Sequence, residues 1–307
     1  MTGEITCRVI TGPTASGKSE LSVRLALDQG WDIICMDSMQ IYRRMDIGTA
    51  KPTADDMKGV SHYLIDICEP TDTYSVAEYR NAAEELILEL HRQNREVLFV
   101  GGTTLYLQAL MHPMGMGGVP ANPGLRETLN RQAVTTEGRL RLHEHLKEID
   151  PATADRLPEN DIRRIIRAIE VWEATGIPFS EQPDRETTGQ EQFRWKVVST
   201  LMERPLLYDR INCRVTEMIR RGLKEEVDAL LKEGVPDDAQ SMNGIGYKEM
   251  IPCVRGECTD EEAAEKIRIN TRHYAKRQMT FLRREEQIRY IRTDQAGSWD
   301  EIRRYLV

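Results

Sequence analysis

The stretch VITGPTASGKSEL, running from Val9 to Leu21, sits between a short apolar run and an amphipathic one. Gly12, Pro13, Thr14, Ala15, Ser16, Gly17, Lys18 and Ser19 match the pattern GxxxxGK[ST] in the required place, after a strand and before a helix. Such a loop needs a strand to feed it and a helix N-terminus behind it, so it constrains the fold more than any other feature. Its glycines let backbone N–H groups converge on phosphate oxygens, and the helix start adds positive partial charge. Lys18 can neutralise a terminal phosphate, and the Ser19 hydroxyl suits Mg²⁺. The open question is which phosphate the loop holds.

The first ~115 residues alternate short apolar runs with helical patterns, the mark of a parallel α/β sheet. CRVITG predicts a strand, KSELSVRLALDQG a helix closed by Gly30, WDIICMD a second strand and HYLIDI a shorter third. Ser75 and Glu78 form a capping box ahead of an amphipathic helix, and EVLFVGG reads as a buried strand. HPMGMGGVPANPG then reads as a Gly/Pro-rich hinge, and from Arg126 to about Gln182 only helical periodicities occur. FRWKVVSTLM returns the chain to the sheet, and charged helices are expected from there to the C-terminus. The fold class expected is α/β: a P-loop-type parallel sheet core (1–116 and 193–307) with an all-helical insertion (117–192).

Composition narrows the setting. Charged residues are 30% and hydrophobic ones 40% of 307, and no apolar run approaches the ~20 residues that cross a bilayer. Cysteines 7, 35, 68, 213, 253 and 258 show neither CxxC nor His-partner spacing, which predicts packed, reduced thiols and a cytoplasmic protein. The net charge of −8 argues against a general nucleic-acid coat, yet Arg268 to Arg292 is locally basic, as an anionic partner would require.

An ATPase or kinase normally has an apolar strand ending in an acid that supports Mg²⁺ and water. Here EVLFV ends instead in Gly101-Gly102-Thr103. The acid lies after the second strand: Asp37, in DSMQIYRRMDIGTAKP. Strand carboxyl ends face the ligand crevice in such sheets, so Asp37 and Thr103 are expected beside the loop. The alternative for Asp37 is a turn cap. Thr49-Ala50-Lys51 can wrap the rim, and Asp46 and Asp66 are weaker carboxylate candidates.

GPTASGKS, DSMQIYRRMDIGTAKP, HYLIDI, YSVAEYR, GGTTLYLQAL, NDIRRIIRAIEV, GIGYKEM and YAKRQMTFLRR occur in the order found in bacterial tRNA dimethylallyltransferases, the tRNA isopentenyltransferase family. The chain resembles that family over nearly its whole length. The resemblance implies a P-loop core with a swinging helical insertion. It also implies transfer of a dimethylallyl group from dimethylallyl diphosphate to the N6 amine of the adenosine 3′ of the anticodon, in tRNAs reading codons that begin with U. The loop would then grip a prenyl diphosphate. By the same resemblance Asp37 is the base, Arg214 assists the diphosphate, and Thr103 contacts tRNA at the active site. Arg210 lies one turn from Arg214 and either shares its role or pairs with Asp209 or Glu217.

The resemblance further places tRNA contacts at Asp37, Ser38, Met39 and Gln40, at Arg126, at Arg163, Arg164, Ile165, Ile166 and Arg167, at Asn243, Gly244, Ile245, Gly246, Tyr247 and Lys248, and at Lys276, Arg277, Gln278 and Arg283. Read from the residues, Arg163, Arg164 and Arg167 share one helical face opposite Ile162, Ile165, Ile166 and Ile169, as expected for a helix packed on one side and touching phosphate on the other. Arg268, Arg272, Lys276 and Arg283 likewise oppose Ile267, Thr271, Tyr274, Gln278 and Phe281. Phe281 stands where the family usually has Trp. The expected partners are the tRNA anticodon stem-loop and dimethylallyl diphosphate, with Mg²⁺, no membrane and no obligate protein partner, in a monomer. Three other readings compete: an isopentenyltransferase on free adenine nucleotide, a P-loop small-molecule kinase, and a non-catalytic RNA-binding protein. The basic helices, the missing acid after EVLFV, and Asp37 with an intact cradle count against them in turn.

Overall fold

The computed structural model describes residues 4–112, 119–182 and 193–307. Part of the expected hinge and the expected end of the insertion lie outside them. The chain divides into two compact units, residues 1–111 with 191–307, and residues 112–190. The expected insertion, 117–192, is thus offset by a few residues at each end.

The first unit is built on six parallel strands: β1 (Ile5–Thr11), β2 (Asp32–Cys35), β3 (His62–Tyr63), β4 (Val97–Val100), β5 (Phe193–Leu201) and β6 (Ile288–Arg292). Their order is β3-β2-β4-β1-β5-β6, so β1 lies inside the sheet between β4 and β5. Period-two alternation sends Val9, Ile34, Phe99 and Val197 to one face and Ile10, Ile33, Leu98 and Val198 to the other. Both faces are apolar because helices cover both, as an all-parallel sheet requires. α1 (Lys18–Gln29) and α13 (Ser298–Leu306) cover one, while α3 (Val76–Arg92), α4 (Thr104–Met111) and Leu282 of α12 (Asp260–Leu282) cover the other. α2 (Ala54–Met57) is a single turn. Gly30 closes α1 at φ 69°, and Ser75 caps α3 with Glu78 returning the bond, both as expected.

Beyond β5, α9 (Arg204–Arg220), α10 (Leu223–Lys232), α11 (Tyr247–Val254) and α12 pack with Ile41, Tyr42 and Met45 into a separate apolar cluster. The expectation of helices alone to the C-terminus is corrected here: β6 follows α12 and pairs with β5 from Val197–Ile288 to Leu201–Arg292. Ile288 and Ile291 are buried, whereas Arg289 pairs with Glu301 and Arg292 with Glu203 and Asp294. The basic run therefore splits at the end of α12, and its last arginines are spent on internal pairs. α12 itself starts at Asp260, Glu261 and Glu262, all exposed, and carries exposed Lys276 and Arg277 near its other end, with Arg283 just beyond.

The second unit is helical: α5 (Pro123–Gln132), α6 (Thr136–Ile149), α7 (Pro151–Ala154) and α8 (Ile162–Thr175). Leu129, Leu142, Leu146, Ile165, Ile166 and Ile169 form its core.

Candidate active site

The phosphate loop leaves β1 at Gly12 and enters α1 at Gly17. At Gly12, φ is 135°, and an added Cβ would strike Thr200 of β5. Only glycine fits there. Ala15 also lies in the left-handed region, at φ 64°, a conformation that costs a non-glycine residue about 1 kcal/mol and persists where neighbours over-determine it. They do so here. Ser16 Oγ donates to Pro13 O at 2.8 Å and lies 2.6 Å from Thr200 Oγ1, and Lys18 Nζ donates to Pro13 O at 2.7 Å. Thr14 N donates to Gln278 Oε1 at 3.0 Å, and Thr14 Oγ1 accepts from Arg214 Nη1 at 3.3 Å.

Around this loop the strand ends converge. β4 stops at Gly101-Gly102-Thr103 with no carboxylate, as the sequence indicated, and Thr103 N donates to Met36 O at 3.2 Å. Thr103 Oγ1 accepts from Ser38 N at 2.9 Å. Asp37 Oδ1 accepts from Met39 N at 2.9 Å, so the turn-cap reading holds for one oxygen. Its Oδ2 has no hydrogen-bond partner among the described residues.

The electrostatics are those of an anion site. Burial first, then the Arg214 guanidinium, push the Lys18 ammonium down to about 7, against the pull of Asp37. Burial likewise lowers Arg214, again opposed by Asp37. Arg210 Nη1 lies 3.5 Å from where a Cβ on Gly17 would sit, and Arg210 makes no ion pair with Asp209 or Glu217. Three cations thus stand at the loop, and the charge of Asp37 reaches two of them, Lys18 and Arg214. Ser19 Oγ is exposed at the first turn of α1 with no hydrogen-bond partner among the described residues, so it is free to ligate Mg²⁺. No cluster of three or more His, Cys, Asp or Glu able to hold a metal occurs among those residues.

The rim is fixed from behind. Lys51 is buried and pairs with Asp46 and Asp66, so none of these three serves as a free acid or base at the loop. Glu226 of α10 accepts from the N–H groups of Asp46, Ile47 and Gly48 and from Tyr247 Oη at 2.6 Å. Gln40 Nε2 donates to Thr49 O at 3.2 Å, and Arg214 Nη2 reaches the same oxygen at 3.5 Å.

Several residues expected to touch RNA are turned inward. Ile165 and Ile166 are 0% and 4% exposed in the insertion core, while Arg163 and Arg164 of the same helix are exposed. Arg126 and Arg167 both donate to the buried Glu170, and Arg167 also to Val119 O. Tyr247 is buried over Gly48, and the glycine at 244 lies against Met39. In that turn Asn243 and Lys248 are exposed, and Ile245 partly so. Gln278 is 3% exposed, its amide spent on the loop and on Gly102 O. Ser38, Met39, Thr103 and Asp37 remain partly exposed at the loop, and Lys276, Arg277 and Arg283 are exposed.

Sequence reasoning missed Tyr274. Burial, then the charge of Asp37, push its hydroxyl above the usual range, opposed by Thr103, Arg277 and Gln278, which places it among these groups. The signal was available: tyrosine and glutamine at i, i+4 on the apolar face of a basic helix.

Fold and site together define a P-loop α/β enzyme with a carboxylate beside its loop. Residues 40–285 match the IPP transferase family model. A tRNA dimethylallyltransferase of Desulforudis audaxviator is 46% identical over 289 residues, 94% of this chain and 92% of the relative. The full-length tRNA isopentenylpyrophosphate transferase of Bacillus halodurans superposes with a TM-score of 0.72 at 39% identity, covering 98% of this chain and 95% of that one. A eukaryotic dimethylallyltransferase acting on tRNA shares the fold, with a TM-score of 0.77 at 24% identity over 96% of this chain and 76% of that one. The chain belongs to the IPP transferase family of tRNA dimethylallyltransferases.

Proposed function

We propose that the protein transfers the dimethylallyl group of dimethylallyl diphosphate to the N6 amine of the adenosine 3′ of the anticodon in tRNA, giving N6-isopentenyladenosine. The observation that carries this reading is the unshared oxygen of Asp37 at the mouth of a loop ringed by Lys18, Arg214 and Arg210.

An adenine amine is a weak nucleophile because its lone pair is delocalised into the ring. The N6–C1 bond forms as the C1–O bond breaks, the electron pair leaves with the diphosphate, and the amine proton passes to Asp37. A positioned base contributes typically 10²–10⁴-fold. The growing negative charge would fall at the loop, beside Lys18 and Arg214, and cations held at that place lower the barrier most. Mg²⁺, held by Ser19 and the diphosphate itself, would add further charge neutralisation when bound. The base must leave its stack to reach Asp37, at a few kcal/mol. Phosphate contacts from Arg163, Arg164, Lys276, Arg277 and Arg283 offset that cost. Neither a kinase nor an enzyme of free nucleotides needs these exposed cations. No helix among the described residues is long and apolar enough to cross a membrane.

The test is incubation with labelled dimethylallyl diphosphate, Mg²⁺ and either unmodified tRNA, AMP or ATP. Label moving to tRNA alone supports the reading, and label on AMP or ATP overturns it.

A further inference from the structure

We infer that Gln278 is a positioning residue for diphosphate binding: its buried amide ties the phosphate loop to the end of β4 and sets where the loop stands. Both ends of this amide are committed to backbone from different parts of the sheet edge. Oε1 accepts from Thr14 N at 3.0 Å, and Nε2 donates to Gly102 O at 2.7 Å. The side chain is 3% exposed, so neither bond is weakened by competing water. Thr14 is thereby held twice, at its N–H by Gln278 of α12 and at its hydroxyl by Arg214 of α9. The next residue is Ala15, whose left-handed backbone relaxes if its neighbour is released.

The third partner is shaped to fit. A Cβ on Gly102 would collide with Nε2 of Gln278, while its other close neighbours, Gly12 O and Gln278 Cδ, stand 3.5 and 3.6 Å away. The glycine at 102 therefore leaves room for this amide, and φ there lies outside the left-handed region. Lys276 and Arg277, the adjacent residues, point to solvent, so α12 turns its cations outward and its amide inward within three residues.

This inference rests on the loop being a diphosphate site and deepens the reading above. Its test uses inorganic pyrophosphate, which probes the loop whatever the acceptor is. Gln278→Met keeps the volume and removes both hydrogen bonds. Its Kd for pyrophosphate, and its KM for dimethylallyl diphosphate, should rise about tenfold, with the tRNA Kd within about twofold and kcat at saturating donor within about threefold of wild type. Gly102→Ala, which displaces the same amide, should raise the pyrophosphate Kd similarly. In a Gln278→Ala background, where the alanine methyl at 102 keeps only an ordinary van der Waals contact with Gly12 O at 3.5 Å, its effect should vanish, as coupled sites require. An unchanged pyrophosphate Kd in Gln278→Met, or a tenfold loss of tRNA affinity in its place, overturns the inference. Additive effects of the two substitutions overturn it too, and because Gly102→Ala alters another residue, the result stands even if Gln278→Met folds poorly. A wild type that shows the pyrophosphate dependence but moves no label to tRNA would sink the proposed function and leave the tie intact.

Discussion

Arg126 closes on the Glu170 carboxylate with two parallel hydrogen bonds, Nε to Oε1 and Nη2 to Oε2, each 2.8 Å. Arg167 adds a third at 2.6 Å, and Asn122 N a fourth at 2.7 Å. Glu170 is 1% exposed. A residue expected to read RNA thus neutralises a buried charge that joins α5 to α8.

Stability of the insertion should accordingly depend on this pair. Arg126→Ala leaves a buried carboxylate short of partners and should cost about 3 kcal/mol, measured as a lowered denaturant midpoint. Burial alone would raise the Glu170 carboxyl, but the bonds from Arg126, Asn122 and Arg167 outweigh it and hold it at about 2. A carboxyl depressed below its unfolded value stabilises the fold above that value and loses the effect as pH falls towards the folded one. The wild type should lose this stabilisation between about pH 4.5 and pH 2, and Glu170→Gln should not.

Removal of the base should separate chemistry from binding. Asp37→Ala should bind tRNA nearly as wild type does and turn over 10²–10⁴-fold more slowly. Single-turnover transfer at saturating substrates reads this, and a normal rate removes Asp37 as the base.

Lys18 gives the donor site a pH dependence. Its ammonium titrates near 7 in the empty loop, and a bound diphosphate raises that value by pairing with it. Pyrophosphate binding should therefore take up a proton above pH 7 and weaken as pH rises, by up to tenfold per unit. Lys18→Arg, which stays charged, should flatten the trend. The ligand's own titration is common to both proteins, so the difference between them isolates Lys18, and parallel profiles would refute the assignment.

Neighbouring residues of α8 should behave oppositely. Arg164 is 73% exposed and only loosely paired with Asp161, at 3.5 Å. Arg164→Ala should weaken tRNA binding and reduce its salt slope by about one, as for one lost phosphate contact. Ile165→Ala should leave the slope alone and cost 2–5 kcal/mol of stability, because it opens a cavity in the insertion core.

The parts legible in the sequence are those set by local chemistry. The phosphate loop, the Gly30 stop and the Ser75–Glu78 box each depend on residues a few positions apart, and all three stand where expected. Asp37 and Thr103 were placed by a topological rule about strand ends, which the sheet order satisfies. What escaped depends on which way a side chain faces once the chain is packed. Gln278 and Tyr247 lie in runs that look RNA-directed, yet each is itself buried and bonds a partner more than 20 positions away. β6 was hidden because Arg289 and Arg292 interrupt its five residues, and only β5 and the distant acids Glu203 and Glu301 make it a strand. The role of Glu170 is not legible because a glutamate in an arginine-rich helix, like Glu173 one turn on, looks like a surface counter-ion.

The polarity of α12 has a practical outcome. Its 23 residues span roughly 34 Å, from three exposed acids at Asp260–Glu262 to the cations at Lys276 and Arg277. With a net charge of −8, the protein should elute from an ion-exchange column as an acidic one, the basic end of α12 masked in the average. A polyanion drifting towards it is repelled by most orientations and drawn in by few. Encounter geometry is thus filtered before any contact forms, and the filter fades in concentrated salt.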